Sequence, residues 1–194
     1  PIQVVGVPIY RNDEQETSVM ETINNILRDL NAAGIRTHLD NRDQTPGFKF
    51  NDWEMRGVPV RLEIGPRDVE KGNAVLVRRD VEGKAGKQFV SQDNLAETVQ
   101  NLLDEIQANL LQQATDFRDE NIIDVTSYDD FKDVIANNQW ARVSWNENSE
   151  LEKQIKDETT ATLRCYPNEQ PDEIGANLMT GEQGEQIALF AKAY

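Results

Sequence analysis

The sequence is short of the residues that build disulfide, metal and redox chemistry. It has one cysteine, Cys165, and one histidine, His38, in 194 residues. A lone cysteine excludes an internal disulfide and any metal site made of cysteines alone. A lone histidine excludes a histidine metal pair and leaves little room for a Ser/His/Asp triad. His38 lies beside Thr37 in a predicted strand and is read as a surface residue. No apolar run approaches the ~18 residues that a membrane-spanning helix needs. No basic segment precedes the opening PIQVVGV, so no signal peptide is expected and a cytoplasmic protein is the natural reading. No glycine-rich phosphate loop follows Val4–Tyr10, which removes the main support for a small-molecule α/β enzyme. The chain opens on Pro1 rather than methionine and is read as a piece of something longer.

Positive charge is also scarce. The chain holds 20 basic and 35 acidic residues, a net charge of −15. That weighs against nucleic-acid binding, where phosphate contacts dominate affinity. The imbalance is uneven, however. Residues 111–194 carry 7 basic and 17 acidic side chains, whereas residues 42–89 carry 10 basic and 8 acidic. Only the central stretch leans basic, and the remaining acid reads as solvated surface.

Patterning predicts two units. Residues 2–10 are rich in β-branched residues and read as a buried strand. Residues 16–33 read as an amphipathic helix through Val19, Ile23, Ile26, Leu27 and Leu30, stopped by Gly34. Ile35–Asp40 reads as a second strand, which makes a βαβ opening with parallel pairing. A short helix over Phe48–Arg56 and strands over Val58–Ile64, Asn73–Arg79 and Lys87–Ser91 follow, with a turn at Gly65-Pro66. Asn94 and Glu97 resemble a capping box before a long helix whose apolar face runs from Leu95 to Phe117. The first unit is expected to be an α/β domain over residues 1–112, a five-stranded mixed sheet with flanking helices. Residues 113–194 are expected to form a small α+β domain, with helices over Tyr128–Asn137 and Glu150–Glu158 and strands over Ala141–Trp145, Thr162–Tyr166 and Ile187–Lys192.

The informative segment is Thr45–Lys71, and within it the stretch PGFKFNDWEMRGVPVRLEIGPRDVE stands out. It resembles the anticodon-binding domain of prolyl-tRNA synthetases of the archaeal and eukaryotic type, which are class II enzymes. Related synthetases share the GVP-[VL]-R-[LI]-x-[IL]-G core but not the preceding PGFKFNDWE. The closing IALFAKAY is similar to the C-terminus of the same enzymes, so the resemblance covers the whole chain. It implies that the whole enzyme joins proline to tRNA(Pro), using ATP and magnesium, as a homodimer. This chain would grip the anticodon stem-loop beside a catalytic domain of the same polypeptide. The class II motifs that bind ATP are missing here, so the chain alone should be inactive and needs no cofactor of its own.

Chemistry supports a reader of guanines at that segment. Proline anticodons end in two guanines. A guanine offers N1–H and N2–H donors to a carboxylate, and O6 and N7 acceptors to a cation. Unstacked bases also need aromatic platforms. By resemblance, Phe50, Glu54, Arg61, Arg67 and Asp68 are the expected anticodon contacts, with Phe48, Lys49, Arg56 and Lys71 as further phosphate or stacking candidates. Other readings stand beside these. Phe50 and Trp53 suit a core, Glu54 and Arg56 suit a surface ion pair, and Asp68 suits a helix cap. Tyr194 is a candidate because the terminal carboxylate in this family lies near the catalytic site.

The family's C-terminal domain often holds zinc on four cysteines. The aligned positions here are Asn146, Leu151, Asn177 and Thr180, none of them a cysteine, so no zinc is expected. The domain should then hold by packing, through Trp140, Trp145 and Phe190, and Cys165 reads as a buried, inert thiol. The rival to an enzyme fragment is a stand-alone interaction or regulatory module with the same fold.

Overall fold

Strand β1 (Val4–Pro8) is buried along its whole length. It is followed by helix α1 (Asp13–Ala32), which Asn12 caps by accepting the Gln15 N–H. This is a computed structural model, and it describes residues 1–192. Val19, Ile23, Ile26, Leu27 and Leu30 form the buried stripe of α1, at the 3–4 residue spacing of one helix face. That stripe lies so close to β1 that a Cβ at Gly6 would sit 3.0 Å from Leu27 Cδ1 and 3.1 Å from Ile23 Cδ1, so a larger residue there would make the tips of those side chains give way.

The chain then forms β2 (Thr37–Leu39), α2 (Pro46–Met55), β3 (Val60–Ile64), α3 (Pro66–Lys71), β4 (Asn73–Arg78) and β5 (Lys87–Ser91). The five strands are ordered β2-β1-β3-β4-β5. β1 pairs in parallel with β2 and β3, whereas β3–β4 and β4–β5 are antiparallel, so the sheet is mixed. Alternation gives it two faces. Val4, Val60, Leu62, Ile64, Ala74 and Leu76 pack under α1 and α4 (Leu95–Asn121). On the other face Val5 and Val7 are covered by Trp53 and Val58. Arg61 and Glu63 of β3 and Lys87 and Phe89 of β5 also point to that second face, by alternation and register. The backbone divides after Gln112, partway along α4.

The second unit holds β6 (Ile122–Asp124), α5 (Tyr128–Ala136), β7 (Trp140–Trp145), α6 (Ser149–Thr159), β8 (Ala161–Cys165) and β9 (Gln186–Lys192). Its sheet order is β6-β7-β9-β8, with β6–β7 parallel and the other pairs antiparallel. Phe131, Trp145 and Phe190 are fully buried at its centre. Phe190 meets Trp145 and Phe131 edge-on, with ring centroids 5.1 and 5.7 Å apart.

Several expectations need correction. Trp140 is 39% exposed and belongs to the surface, because β7 begins on it and its alternate residues, Ala141 and Val143, take the core positions. Cys165 is exposed at the end of β8, not buried. Leu110, Leu111 and Phe117 are exposed: the apolar stripe of α4 is buried only from Leu95 to Ile106. Asn94 has φ +54, a left-handed backbone rather than the extended one from which an N-cap side chain reaches back, so the expected capping box does not take its ordinary form.

Candidate nucleic-acid interface

The segment Thr45–Lys71 places its side chains through two short helices and the strand between them. Thr45 accepts the Phe48 N–H and Pro46 opens α2, a cap-plus-proline start that fixes where the helix begins. Trp53 anchors α2 to the sheet. It is buried, and its Nε1 donates to Asp40 Oδ2 at 2.7 Å. Asp40 is itself buried and takes the Arg42 guanidinium through both oxygens, at 2.9 and 2.7 Å. Burial opposes its ionisation. The hydrogen bonds from Arg42 and Trp53 outweigh that and hold the carboxyl well below the usual carboxylate range.

Lys49 belongs to this anchor. It is buried, its Nζ lies 3.2 Å from the Asp40 carbonyl oxygen, and the expectation that it meets a phosphate is set aside. Arg56 is exposed. It pairs with Asp52 at 3.1 Å rather than with Glu54, and its guanidinium stands 4.9 Å from the Trp53 ring centroid. Phe48 is half exposed, with the Arg42 guanidinium 5.9 Å from its ring.

Four of the predicted contacts, Glu54, Arg61, Arg67 and Asp68, line two clefts that open on the same sheet face. Glu54 and Arg61 line a cleft of about 200 Å³ with Trp53, Val77 and Arg79. Arg67 and Asp68 line a larger one, about 650 Å³, with Tyr10, Glu63, Lys87 and Phe89. Arg61 and Glu63 connect the two. They stand two residues apart on β3 and so share a face. The Arg61 guanidinium lies 3.9 Å over the Phe50 ring and donates from Nε to Glu63 Oε1 at 3.0 Å. Lys87 reaches the other oxygen, Oε2, from β5 at 3.0 Å. Glu63 is 4% exposed, and two cations neutralise it. The terminal nitrogens of Arg61 have no hydrogen-bond partner among the described residues and remain available. Lys87 keeps hydrogens to donate.

Glu54 is exposed and makes no ion pair among the described residues; its backbone carbonyl accepts the Gly57 N–H at 3.0 Å and Arg79 Nε at 3.1 Å. Arg67 is exposed as well. Asp68 is half-buried, and its Oδ2 accepts the Gly65 N–H at 2.9 Å, so it caps α3 as one reading of the sequence had it. Lys71 is exposed in the last turn of α3, before Gly72 with φ +62. Tyr194 lies outside the described residues. Sequence reasoning missed Glu63, Lys87 and Phe89. The period-2 alternation that puts Glu63 beside Arg61 was readable, but the reach of Lys87 to Glu63 depends on two strand registers.

Residues 3–102 match the family model described as anticodon binding domain, and residues 128–194 match the one described as prolyl-tRNA synthetase, C-terminal. The chain belongs to the anticodon-binding domain family, followed by a prolyl-tRNA synthetase C-terminal domain. Among curated relatives, the chloroplastic/mitochondrial proline–tRNA ligase of Arabidopsis thaliana is 48% identical over 198 residues, which is all of this chain and 36% of that protein. The proline–tRNA ligases of Chloroflexus aggregans and Porphyromonas gingivalis are 47% and 43% identical, with 40% and 39% of their length covered. The chain spans well under half the length of these relatives. The anticodon-binding unit is therefore the one whose open sheet face carries the two clefts.

In the C-terminal domain, the four positions aligned with zinc ligands do not fit the metal. Leu151 has no donor atom and packs against the apolar core. Asn177 is 3% exposed, and its Oδ1 accepts the backbone N–H groups of Met179 and Thr180 at 2.9 and 3.1 Å. Its Nδ2 donates to Asn146 Oδ1 at 2.8 Å, and Asn146 Nδ2 donates to the Gln183 carbonyl at 3.1 Å. Neutral amides committed to this network supply neither the thiolates nor the imidazoles that tetrahedral zinc takes.

Proposed function

We propose that this chain is the part of a prolyl-tRNA synthetase that recognises tRNA(Pro) by its anticodon stem-loop. The observation that carries the reading is the open face of the first sheet. An arginine lies on a phenylalanine and is steered by a buried carboxylate, between exposed Glu54 and exposed Arg67. Glu54 offers acceptors for the N1–H and N2–H donors of a guanine, and Arg61, Arg67 and Lys87 offer donors for O6 and N7. Phe50 backs the Arg61 plane rather than meeting a base directly. Asp68 contributes the carboxylate oxygen that Gly65 does not use.

The whole enzyme would attach proline to tRNA(Pro) with ATP and magnesium, as a homodimer in the cytoplasm, through a catalytic domain that this chain does not include. The greater length of the relatives supports that reading over a stand-alone module. We further propose that the C-terminal domain works without zinc.

Fluorescence anisotropy with a synthetic hairpin carrying the proline anticodon tests the reading. The chain should bind it more tightly than a hairpin with both guanines replaced by adenine, and Glu54→Ala should lose about 1–3 kcal/mol and most of that preference. Equal binding of the two hairpins would overturn the proposal.

A further inference from the structure

Phe89 is out of place by the ordinary rules of burial. It is a large aromatic residue in the middle of a sheet strand, yet it is 72% exposed. The strand explains its direction. Along Lys87–Ser91 the side chains alternate, so that Val90 packs against the main core while Lys87 and Phe89 stand on the open face. Phe89 is paired in register with Val75, and both line the larger cleft together with Tyr10, Glu63, Arg67 and Lys87. The Lys87 ammonium lies 5.7 Å from the Phe89 ring centroid and 3.0 Å from Glu63 Oε2. An exposed ring therefore borders a hole of about 650 Å³, beside a cation that still has hydrogens to donate. The hole is within the size range of small-ligand sites.

We infer that Phe89 is a stacking platform, on which one unpaired RNA base lies with its edge against Lys87 and Arg67. The inference rests on the RNA-binding reading above, which already gives Arg67 and Lys87 to a guanine edge, and adds Phe89 as the surface on which that base stacks. Charge decides the kind of occupant. A protein partner would be met by a contiguous apolar patch. Here Phe89 shares the cleft with Tyr10 and Val75 but also with Arg11, Arg67 and Lys87, and exposed rings interleaved with cations are the arrangement that holds single-stranded nucleic acid. Arg11 and Arg67 form no ion pair among the described residues. Glu63 acts as a positioning residue: it is too buried to meet the base and instead aims Lys87 at it. A purine with an acceptor edge, guanine, is favoured there over adenine, whose N6 amino group would face the two cations.

Anisotropy with the same anticodon hairpin and the 194-residue chain provides the test. Phe89→Ala removes an exposed ring and should leave the thermal unfolding midpoint unchanged. It should weaken hairpin binding roughly 10-fold or more, by loss of one stacked base. Phe89→Trp should restore binding and Phe89→Leu should not, since shape without a π-face gives no stack. A Phe89→Ala affinity within twofold of the parent, while Glu54→Ala still weakens binding, overturns the subsite and leaves the anticodon reading intact. A parent chain that binds no hairpin overturns both. Unchanged RNA affinity with a shift from dimer to monomer in Phe89→Ala would assign the ring to a protein contact and also overturn the subsite.

Discussion

Asp40 shows what a single buried carboxylate can organise. It ends the first βαβ unit, yet it receives the indole N–H of Trp53 and the guanidinium of Arg42, and its carbonyl receives Lys49. Removing its side chain would leave the buried Trp53 indole N–H without an acceptor and Arg42 with Asp52 alone, while Lys49 keeps the backbone carbonyl, so Asp40→Ala should cost about 2 kcal/mol. Urea unfolding would measure that. The pH dependence follows from the direction of its shift. In the unfolded chain an aspartate protonates near pH 3.9. In the fold Asp40 stays ionised well below that. Its contribution is therefore complete above about pH 4 to 5 and is lost as pH falls further. An Asp40→Asn variant should show a flatter stability profile between pH 5 and pH 2 than the parent. Little of this was legible in the sequence. Lys49 and Asp40 stand nine residues apart in a segment that reads as loop and helix. Only the fold reveals that a lysine in a basic-leaning stretch turns inward. Glu54 and Arg67, by contrast, are exposed where their types and spacing put them.

At the scale of elements, patterning located most helices and strands because their burial is periodic. Two failures have different causes, one a partner distant in sequence and the other a local cap. β6 is three residues long and exists because Ile122, Ile123 and Asp124 pair with Trp140, Ala141 and Arg142. A stretch that short carries no period. α2 begins two residues before the expected start because Thr45 and Pro46, which read as loop, are a cap and a first-turn proline. The loop closed by Asn146 and Asn177 is the element-scale case with the clearest consequence. Its amide network ties the segment after β7 to the turn before β9 through two hydrogen bonds of Asn146, while two more close the turn at Asn177. Excess chelator should therefore leave the thermal midpoint of the domain unchanged, and metal analysis of the purified chain should find far less than one zinc per molecule. Asn177→Ala should lower stability by about 2 kcal/mol, because it strands two backbone N–H groups and the Asn146 amide. A chelator-induced loss of the cooperative transition would count against the zinc-free reading.

The whole molecule poses the electrostatic question that the sequence raised. A chain of net charge −15 is asked to bind a polyanion. Residues 1–112 carry 13 basic and 18 acidic side chains, so even the anticodon-binding unit is acidic. The open face resolves this by selection rather than by excess. Glu63 is neutralised by Arg61 and Lys87, Asp52 by Arg42 and Arg56, and Asp68 is turned into its own helix end. Arg11, Arg67 and Lys71 are left with no ion pair among the described residues. With Arg67 committed to a base edge, two to three cations meet phosphates and release few counterions, so log Kobs should fall against log [salt] with a slope of only about −2. Repulsion from the distant acid eases as salt rises and flattens the line further. Lys71→Glu should reduce the slope by about 1, whereas Phe89→Ala should shift the line without changing its tilt, because stacking releases no ions. A slope steeper than about −5 would mean that binding rests on many phosphate contacts, which three free cations cannot supply, and would move the RNA site away from the clefts.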